Sequence, residues 1–312
     1  MRIAVFGVGG VGGYFGGRLA ESGKWVGFVA RGPHLQALRR DGLKVESAAG
    51  DFQVRPAAAD DDPAAIGPVD VVLLAVKAWQ VTDAARVMGP LLGSRTIVLP
   101  IQNGVEAADQ VDRIVGAGRA LPGLCRLVSY VVGPGHIRHA GVDPLLEFGE
   151  RDGRRSERVL ALQAFLEKVR GFSVSVPDDI EAAIWEKFLF IAPVGAVGAA
   201  TRKPFGVIRR VAEARALLEA AIREVAALAR ARGVRIRADA EERTLAYFDG
   251  LPADGSASMQ RDILEGRPSE LEDQTGAVVR LARAAGIPAP VNESLYRALL
   301  PTELQARGRL PE

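Results

Sequence analysis

The chain has 312 residues, of which 48% are hydrophobic and 25% charged, and its formal net charge is +2. This length suits two domains, each with its own core, and the composition is that of a globular protein. The small net charge, without a long basic block, argues against nucleic acid as a partner. Because Cys125 is the single cysteine, no intramolecular disulfide is expected, and the few histidines are too scattered to hold a structural metal.

The N-terminal residues begin a strand at once, without the charged leader and apolar core of a signal peptide. The longest apolar run, residues 188–200, has 13 residues and includes Pro193. This run is too short to span a bilayer and predicts a buried helix. We therefore expect a soluble, cytoplasmic protein without a membrane partner.

Residues 2–23 predict a strand, a glycine turn and a helix. The turn consists of Gly7, Val8, Gly9, Gly10, Val11 and Gly12. In this pattern the first glycine permits a tight exit from the strand, the second leaves room for a pyrophosphate, and the third lets the helix lie close to the strand. The helix N-terminus adds unpaired N–H groups and a positive dipole end. The segment therefore predicts a dinucleotide site, with a purely structural turn as the alternative.

Residues 25–30 predict a second strand, which Arg31 follows. In a dinucleotide fold, an acidic residue at this point binds the ribose 2′-hydroxyl and selects NAD. A guanidinium suits a 2′-phosphate instead, through charge-assisted hydrogen bonds. Arg31 therefore favours NADP(H), and a solvated surface arginine is the alternative.

The next segments predict small elements around the sheet. Pro33 starts a short helix that ends near Gly42, and residues 43–54 alternate like a small hairpin. Residues 57–68 contain three consecutive aspartates and few large apolar residues. This composition predicts a solvated loop rather than a metal site.

Two apolar segments, residues 69–76 and 96–101, are typical of strands covered on both faces in a parallel sheet. Lys77 and Asn103 come just after their carboxyl ends. Ligands of open parallel sheets bind outside these ends, so we expect both side chains on the cofactor side. A solvated strand end for Lys77 and a turn residue for Asn103 are the alternatives.

Residues 120–149 change to β segments punctuated by glycine. They include His136 and His139, which we expect at the surface, with a general acid or a metal pair as the alternative. A helix over residues 156–170 and a strand over residues 173–176 complete this part of the chain.

Pro177 marks the predicted domain boundary, with a dinucleotide-binding domain over residues 1–177 and a second domain over residues 178–312. Strand patterns vanish in the second domain, and four or five helices are predicted. Residues 212–232 carry an apolar stripe that fits the core of this domain, the simpler interpretation, or a homodimer interface. A cleft between two such domains is a preferred position for a small ligand.

The first helix of the second domain carries Lys187 next to the long apolar run. On the rim of a low-dielectric cleft, the pKa of a lysine falls because desolvation disfavours the ammonium form. Such a lysine can deliver a proton near neutral pH. Ketone reduction needs this proton, since hydride arriving at the carbonyl carbon leaves negative charge on the oxygen. An ordinary snorkelling lysine is the alternative.

Several short motifs share their order and spacing with one known family almost from end to end of the chain. They are Gly7–Gly12, Arg31-Gly32, Val76-Lys77, Gln102-Asn103-Gly104, Gly133-Pro134-Gly135, Trp185-Glu186-Lys187, and Ser258-Met259 followed by Asp262 and Glu270. Each motif alone is weak, but the set is specific. The chain resembles the ketopantoate reductase (2-dehydropantoate 2-reductase) family.

The resemblance implies an α/β protein with an N-terminal Rossmann-type dinucleotide-binding domain. An all-helical domain follows, like the C-terminal domain of 6-phosphogluconate dehydrogenase. The implied reaction is NADPH-dependent reduction of a 2-keto acid to its 2-hydroxy acid, the step from ketopantoate to pantoate in pantothenate biosynthesis. Arg31 would bind the 2′-phosphate of the cofactor.

The resemblance also implies roles for five polar residues. Lys187 would donate the proton, and Glu270 would be a partner of the substrate or of the cofactor ribose. Ser258 would donate a hydrogen bond to the substrate carboxylate. Lys77 and Asn103 would line the nicotinamide and the substrate.

The chain departs from this family at two positions. The family's lysine helix carries two asparagines that contact substrate, four and eight residues after the lysine, where this chain has Ile191 and Gly195. A pocket without partners for a substrate hydroxyl discriminates less well, so a more apolar 2-keto acid is an alternative substrate. Another β-hydroxyacid or imine-type dehydrogenase, and a non-catalytic sensor of NADP(H), are the alternative functions.

Overall fold

The computed structural model describes residues 1–310, which form two compact units. The first unit comprises residues 1–102 and 106–180. The second comprises residues 103–105 and the chain from residue 181 onward. A short segment after one strand therefore belongs to the helical unit, although the chain on both sides of it belongs to the first.

The first unit contains all the strands of the described chain and six helices. The strands are β1 (Arg2–Phe6), β2 (Trp25–Val29), β3 (Leu43–Ser47), β4 (Phe52–Val54), β5 (Ala58–Asp60), β6 (Val69–Leu74), β7 (Leu92–Pro100), β8 (Gly123–Arg126), β9 (Ser129–Gly133), β10 (His136–His139), β11 (Leu145–Phe148) and β12 (Ser173–Ser175). The helices are α1 (Gly10–Glu21), α2 (Gly32–Arg40), α3 (Pro63–Ile66), α4 (Val81–Val87), α5 (Ala107–Val115) and α6 (Glu157–Leu166), with α7 beginning at Ile180.

Five parallel strands form the central sheet in the order β5-β2-β1-β6-β7. Side chains alternate across β1. Ile3 and Val5 therefore pack into the cluster that contains Phe15 of α1, whereas Ala4 and Phe6 pack into the cluster of α4 and α5 on the other face. Both faces of the strand are buried, which is why its sequence is continuously apolar.

Two smaller sheets complete the first unit, with orders β4-β3-β10-β9 and β12-β11-β8. The predicted hairpin over residues 43–54 is confirmed by the antiparallel pairing of β3 with β4. The prediction of a loop over residues 57–68 is wrong in part, because β5 pairs with β2 at the edge of the central sheet. The sequence does not show this strand because its side chains are small and give no apolar pattern. As an edge strand, β5 is held by backbone pairing with β2.

The acidic segment after β5 serves local structure. Asp60 forms an ion pair with Arg39 at 2.5 Å. Asp62 is the N-cap residue of α3, and its Oδ1 accepts a hydrogen bond from the backbone N–H of Ala64 at 2.9 Å. Carboxylates at a helix N-terminus stabilise its unpaired N–H groups, so these aspartates have a structural role.

The expectation that both histidines of β10 lie at the surface is wrong for His139, which is 5% exposed. Its Nδ1 lies 2.8 Å from Ser47 Oγ, and its Nε2 lies 3.0 Å from the carbonyl oxygen of Val142. Its ring also packs against Tyr14 of α1. The reason is that β10 is an inner strand of its sheet. His136 is half-buried and pairs with a glutamate of β3.

In the described residues of the second unit, all the regular secondary structure is helical. Its helices are α7 (Ile180–Thr201), α8 (Phe205–Arg210), α9 (Ala212–Ala231), α10 (Ala240–Asp249), α11 (Ser258–Leu264), α12 (Thr275–Ala285) and α13 (Pro290–Ala306). The predicted number of four or five was too low, because α8 and α11 are too short to show a helical period in the sequence. The apolar stripe of α9 is buried in this chain.

Helix α7 has 22 residues, and its most apolar 18-residue window has a mean hydropathy of 1.4. By length and composition alone it could cross a membrane, so the prediction of a segment too short to span a bilayer is wrong. The helix exceeds that run because residues 180–187 precede it. Since 67% of the window is buried inside the protein, the helix matches the predicted core helix.

Candidate active site

The turn between β1 and α1 has a shape that requires glycine. Gly7 has φ 95°, and a Cβ on it would lie 2.8 Å from the backbone nitrogen of Val76. A Cβ on Gly12 would lie 2.1 Å from the carbonyl oxygen of Gly7. Val8 and Val11 pack into the core of the first unit. Glycine at these positions therefore lets the strand turn sharply and the helix lie against it.

Gly9 and Gly10 differ in their surroundings. No atom of the described chain outside its own neighbours lies within 4 Å of a Cβ built on Gly9, whereas a Cβ on Gly10 would lie 2.4 Å from the carbonyl oxygen of Ser129. Gly9 is the N-cap residue of α1, which has no side-chain cap and no acidic residue in its first turn. The helix that begins here has unpaired backbone N–H groups and a positive dipole end, and the Cβ position of its N-cap residue is open. This combination is typical of a pyrophosphate site.

Ser129 is a candidate binding residue that the sequence analysis missed. Its Oγ is buried and has no hydrogen-bond partner within the described chain. Its carbonyl group lies against the glycine turn. A buried hydroxyl at this position is suited to donate a hydrogen bond to a cofactor oxygen. No local motif marks this serine, because only the fold brings the start of β9 to the turn.

The two predicted basic residues of the first unit also follow strands of the central sheet. Arg31 is exposed and is the N-cap residue of α2. Lys77 is exposed beyond β6, its backbone N–H donates to Gln80 Oε1 at 3.2 Å, and its Nζ lies 5.6 Å from the centroid of the Trp79 ring. Because β1, β2 and β6 are parallel neighbours, both residues lie at the same sheet edge as the glycine turn.

In the second unit, Lys187 is half-buried on α7. Ile191 and Gly195 follow at intervals of four residues, so the three positions share one face of the helix. A Cβ on Gly195 would lie 2.8 Å from Met259 Cε and 3.7 Å from Gln274 Oε1. The helix face that carries Lys187 therefore lies, at Gly195, next to Met259 of α11 and Gln274, the N-cap residue of α12.

Glu270 is 6% exposed and is held by two side-chain amides. Asn103 Nδ2 donates to Glu270 Oε2 at 3.3 Å, and Gln274 Nε2 donates to the same oxygen at 3.1 Å. Charge-assisted hydrogen bonds of this kind fix the direction of a carboxylate. The structure thus brings two predicted site residues, Asn103 and Glu270, into direct contact within one unit.

Ser258 is the first residue of α11 and is exposed. Its neighbour Met259 is buried against Gly195 of the lysine helix. Ser258 therefore directly precedes, in the chain, a residue that packs against the same face of α7 as carries Lys187. The predicted site residues divide between the units: the glycine turn, Arg31 and Lys77 in the first, and Asn103, Lys187, Ser258 and Glu270 in the second.

Asp273 lies three residues after Glu270, and its Oδ2 is buried without a hydrogen-bond partner in the described chain. Burial raises the pKa of this carboxyl to about 6, and the negative charge of Glu270 adds to the effect. Arg280 and Arg307 oppose the shift. An ionised Asp273 is therefore unfavourable in the folded protein.

We expect Asp273→Asn to stabilise the protein at neutral pH. In the unfolded chain this carboxyl ionises near 3.8, whereas in the folded protein it keeps its proton until about pH 6. Between these values the folded state binds more protons, so the free energy of unfolding falls as pH rises and levels off above 6. Allowing for solvent screening of a partly exposed group, we expect a gain of about 1–2 kcal/mol above pH 6.

Urea unfolding at pH 4, 5, 6 and 7.5 measures this effect. The difference between the variant and the wild type should grow across this range and then stay constant. Asp254→Asn, at an exposed position of the same unit, is the matched control. A difference that does not change with pH would contradict the assignment to Asp273.

Two family profiles match the chain. The family described as "Ketopantoate reductase PanE/ApbA" matches residues 3–153. The family described as "Ketopantoate reductase PanE/ApbA C terminal" matches residues 179–303. These matches cover most of both compact units.

Individual relatives match over nearly the whole chain. The "Uncharacterized oxidoreductase YkpB" of Bacillus subtilis is 30% identical over 299 residues, which are 96% of this chain and 98% of the relative. A 2-dehydropantoate 2-reductase of Mesorhizobium japonicum is 31% identical over 316 residues, covering 95% of each chain. The crystal structure of a PanE/ApbA family ketopantoate reductase from Ralstonia eutropha has a TM-score of 0.88 at 31% identity, covering 98% of this chain and 100% of the other.

The predicted fold class is confirmed by the parallel sheet of the first unit, the helical second unit and the match to this solved structure. The relatives named 2-dehydropantoate 2-reductase also confirm that the chain is an oxidoreductase that acts on CH–OH groups. Both family matches and the full-length similarity agree with the motifs found in the sequence. The chain therefore belongs to the ketopantoate reductase family, whose members act on small keto acids, and it binds a nicotinamide cofactor.

Proposed function

We propose that this protein reduces a 2-keto acid to the 2-hydroxy acid with NADPH, and that ketopantoate is its substrate. The observation that best supports the proposal is the arrangement in the second unit. Lys187 shares a helix face with Gly195, the amide oxygen of Gln274 lies 3.7 Å from the position of a Cβ on Gly195, and Gln274 in turn holds the carboxylate of Glu270. The proposed proton donor, Lys187, and the oriented carboxylate of Glu270 therefore belong to one packed group of side chains in the second unit.

In the proposed reaction, Lys187 donates a hydrogen bond to the keto oxygen and then transfers a proton to it. The bound nicotinamide supplies the hydride. An ammonium group near the developing alkoxide lowers the barrier by stabilising its negative charge. Ser258 donates a hydrogen bond to the substrate carboxylate, which fixes the position of the keto carbon.

Three further residues orient the substrate and the cofactor in this proposal. Glu270 accepts a hydrogen bond from the cofactor ribose or from the substrate, and its two amide partners keep it aimed. Asn103 and Lys77 line the nicotinamide and the substrate. The glycine turn at the N-terminus of α1 supplies N–H groups for the pyrophosphate.

The initial rate of NADPH oxidation with ketopantoate, beside a panel of other 2-keto acids, tests this proposal. A clear preference for ketopantoate would support the substrate assignment. Activity on other 2-keto acids alone would retain the reaction and replace the substrate. Cofactor binding without any reduction would instead support a sensor of NADP(H).

We also propose that the protein is cytoplasmic. Its single cysteine and the proposed use of NADPH both suit a reducing compartment.

The preference for NADPH over NADH is assigned to Arg31. We expect Arg31→Glu to weaken NADPH binding by about 100-fold and NADH binding only slightly, because a carboxylate repels the 2′-phosphate but accepts a hydrogen bond from the 2′-hydroxyl. Titration of the intrinsic fluorescence with each cofactor measures both affinities. Arg95→Glu, at an exposed position of the same unit, is the control for the change in charge. Equal losses for the two cofactors would contradict the assignment.

A further inference from the structure

Two buried glutamines of the second unit lie against glycines of α7. Gln274 is 1% exposed and Gln260 is 2% exposed. The Oε1 of Gln274 lies 3.7 Å from the position of a Cβ on Gly195, and the Oε1 of Gln260 lies 2.3 Å from that of a Cβ on Gly198. Each amide therefore reaches the helix at a point where no side chain intervenes.

The two amides differ in how their polar atoms are satisfied. Gln260 Oε1 accepts from the backbone N–H of Ala257 at 3.3 Å, and its Nε2 donates to the carbonyl oxygen of Lys203 at 3.0 Å. Gln274 Nε2 donates to Glu270 Oε2, but its Oε1 is buried and has no hydrogen-bond partner in the described chain. Gln260 is thus a fully satisfied core residue, whereas Gln274 keeps one unmet acceptor.

The orientation of the Gln274 amide follows from its partner. A carboxylate only accepts hydrogen bonds, so the nitrogen of Gln274 must face Glu270 and the oxygen must point away from it. A buried acceptor without a donor is unfavourable and rare in folded proteins. Its presence beside a candidate catalytic carboxylate indicates that a donor comes from outside the protein.

A flexible side chain occupies the space beside Gly195 that this oxygen faces. Gly195 contributes no side chain there, and the nearest atom to its Cβ position is the terminal methyl group of Met259, at 2.8 Å. Methionine is unbranched and adapts its conformation at low cost. Met259 also directly follows Ser258, the residue assigned to the substrate carboxylate. A group that reaches the Gln274 oxygen past Gly195 would therefore have to displace only this flexible methyl group.

We propose that Gln274 is a specificity-determining residue, whose Oε1 accepts a hydrogen bond from a hydroxyl group on the side chain of the substrate. This inference rests on the proposed reduction of a 2-keto acid. The keto group and the ionised carboxylate of such an acid are acceptors only. A substrate can therefore supply the donor for Gln274 only from a hydroxyl group on the rest of the molecule, so the proposal assigns hydroxylated 2-keto acids as the substrate class.

Two 2-keto acids that differ by one hydroxyl group test the proposal directly. Ketopantoate is 4-hydroxy-3,3-dimethyl-2-oxobutanoate, and 3,3-dimethyl-2-oxobutanoate lacks only the hydroxyl. We expect the wild type to prefer ketopantoate by about 100-fold in kcat/KM, because a site built around a hydrogen bond rejects the analogue that lacks it. In Gln274→Met this preference should fall to about tenfold or less, chiefly through loss of activity on ketopantoate.

Gln260→Met is the matched control, because it replaces a buried glutamine that faces the same helix but has both polar atoms satisfied. It should keep the wild-type preference, and thermal unfolding of both variants reports whether they fold. Equal rates of the wild type on the two substrates would overturn the role of Gln274 and leave the reductase function intact. An equal loss of kcat/KM on both substrates in Gln274→Met would also overturn this role, because it would show that Gln274 acts only by holding Glu270. Reduction of neither substrate by the wild type would overturn the proposed function itself.

Discussion

Lys187→Ala is expected to lower kcat for keto acid reduction by about 10²–10⁴-fold, the usual contribution of a positioned general acid. The variant loses both the proton and the positive charge that stabilise the alkoxide. Cofactor affinity should stay at the wild-type value, because the glycine turn and Arg31 belong to the other compact unit. Single-turnover rates and a cofactor titration measure the two quantities separately.

Two further lysine variants sharpen this experiment. Lys187→Arg keeps the charge, but a guanidinium does not release its proton in this pH range. It should therefore bind substrate and remain slow. Lys203→Ala removes an exposed lysine just after the same helix and should react at the wild-type rate. An unchanged kcat in Lys187→Ala would remove this lysine from the chemistry.

Gly9→Ala and Gly12→Ala should fail in different ways, although both add one methyl group to the same turn. In the described chain, a Cβ on Gly9 has no neighbour within 4 Å, whereas a Cβ on Gly12 would lie 2.1 Å from a backbone oxygen. Gly9→Ala should fold normally and bind the cofactor about tenfold or more weakly, because its methyl group takes space needed by the pyrophosphate. Gly12→Ala should lose about 3 kcal/mol of stability, since neither the helix nor the strand can move away cheaply.

Thermal unfolding with and without NADPH distinguishes the two outcomes. Gly9→Ala should keep the wild-type Tm without cofactor and lose most of the rise that NADPH causes. Gly12→Ala should show a lower Tm in both conditions. If Gly9→Ala bound NADPH as tightly as the wild type, the open space beside Gly9 would not be the pyrophosphate site.

The sequence is most informative where function depends on local spacing. The glycine turn lies within six consecutive residues, so the strand, turn and helix could be predicted from spacing alone. The close approach of Val76 to Gly7 and of Ser129 to Gly10 depends on the fold. The positions of Arg31 and Lys77 also follow from sequence, because parallel strands bring their carboxyl ends to one edge. The roles of these residues stay predictions until the variants are measured.

Sequence reasoning fails where a residue acts through a distant partner. Gln274 lies 79 residues from Gly195 in the chain, and only the fold brings its amide to that glycine. Ser129 meets the glycine turn in the same way, across more than 100 residues. His139 was expected at the surface, since its place on an inner strand depends on pairing with β3 and β9. Such contacts leave no periodic or spaced pattern in the sequence.

The grouping of residues 103–105 with the helical unit has a consequence for how these enzymes can be recombined. The chain crosses between the units after residues 102, 105 and 180. A chimera joined at residue 180 would take Asn103 from one parent and Glu270 from the other. Glu270 of one parent would then be held by residue 103 of the other parent, while its second partner, residue 274, would come from its own parent. The two parts are not independent modules, and substitutions at positions 103 and 270 should be inherited together when such genes diverge.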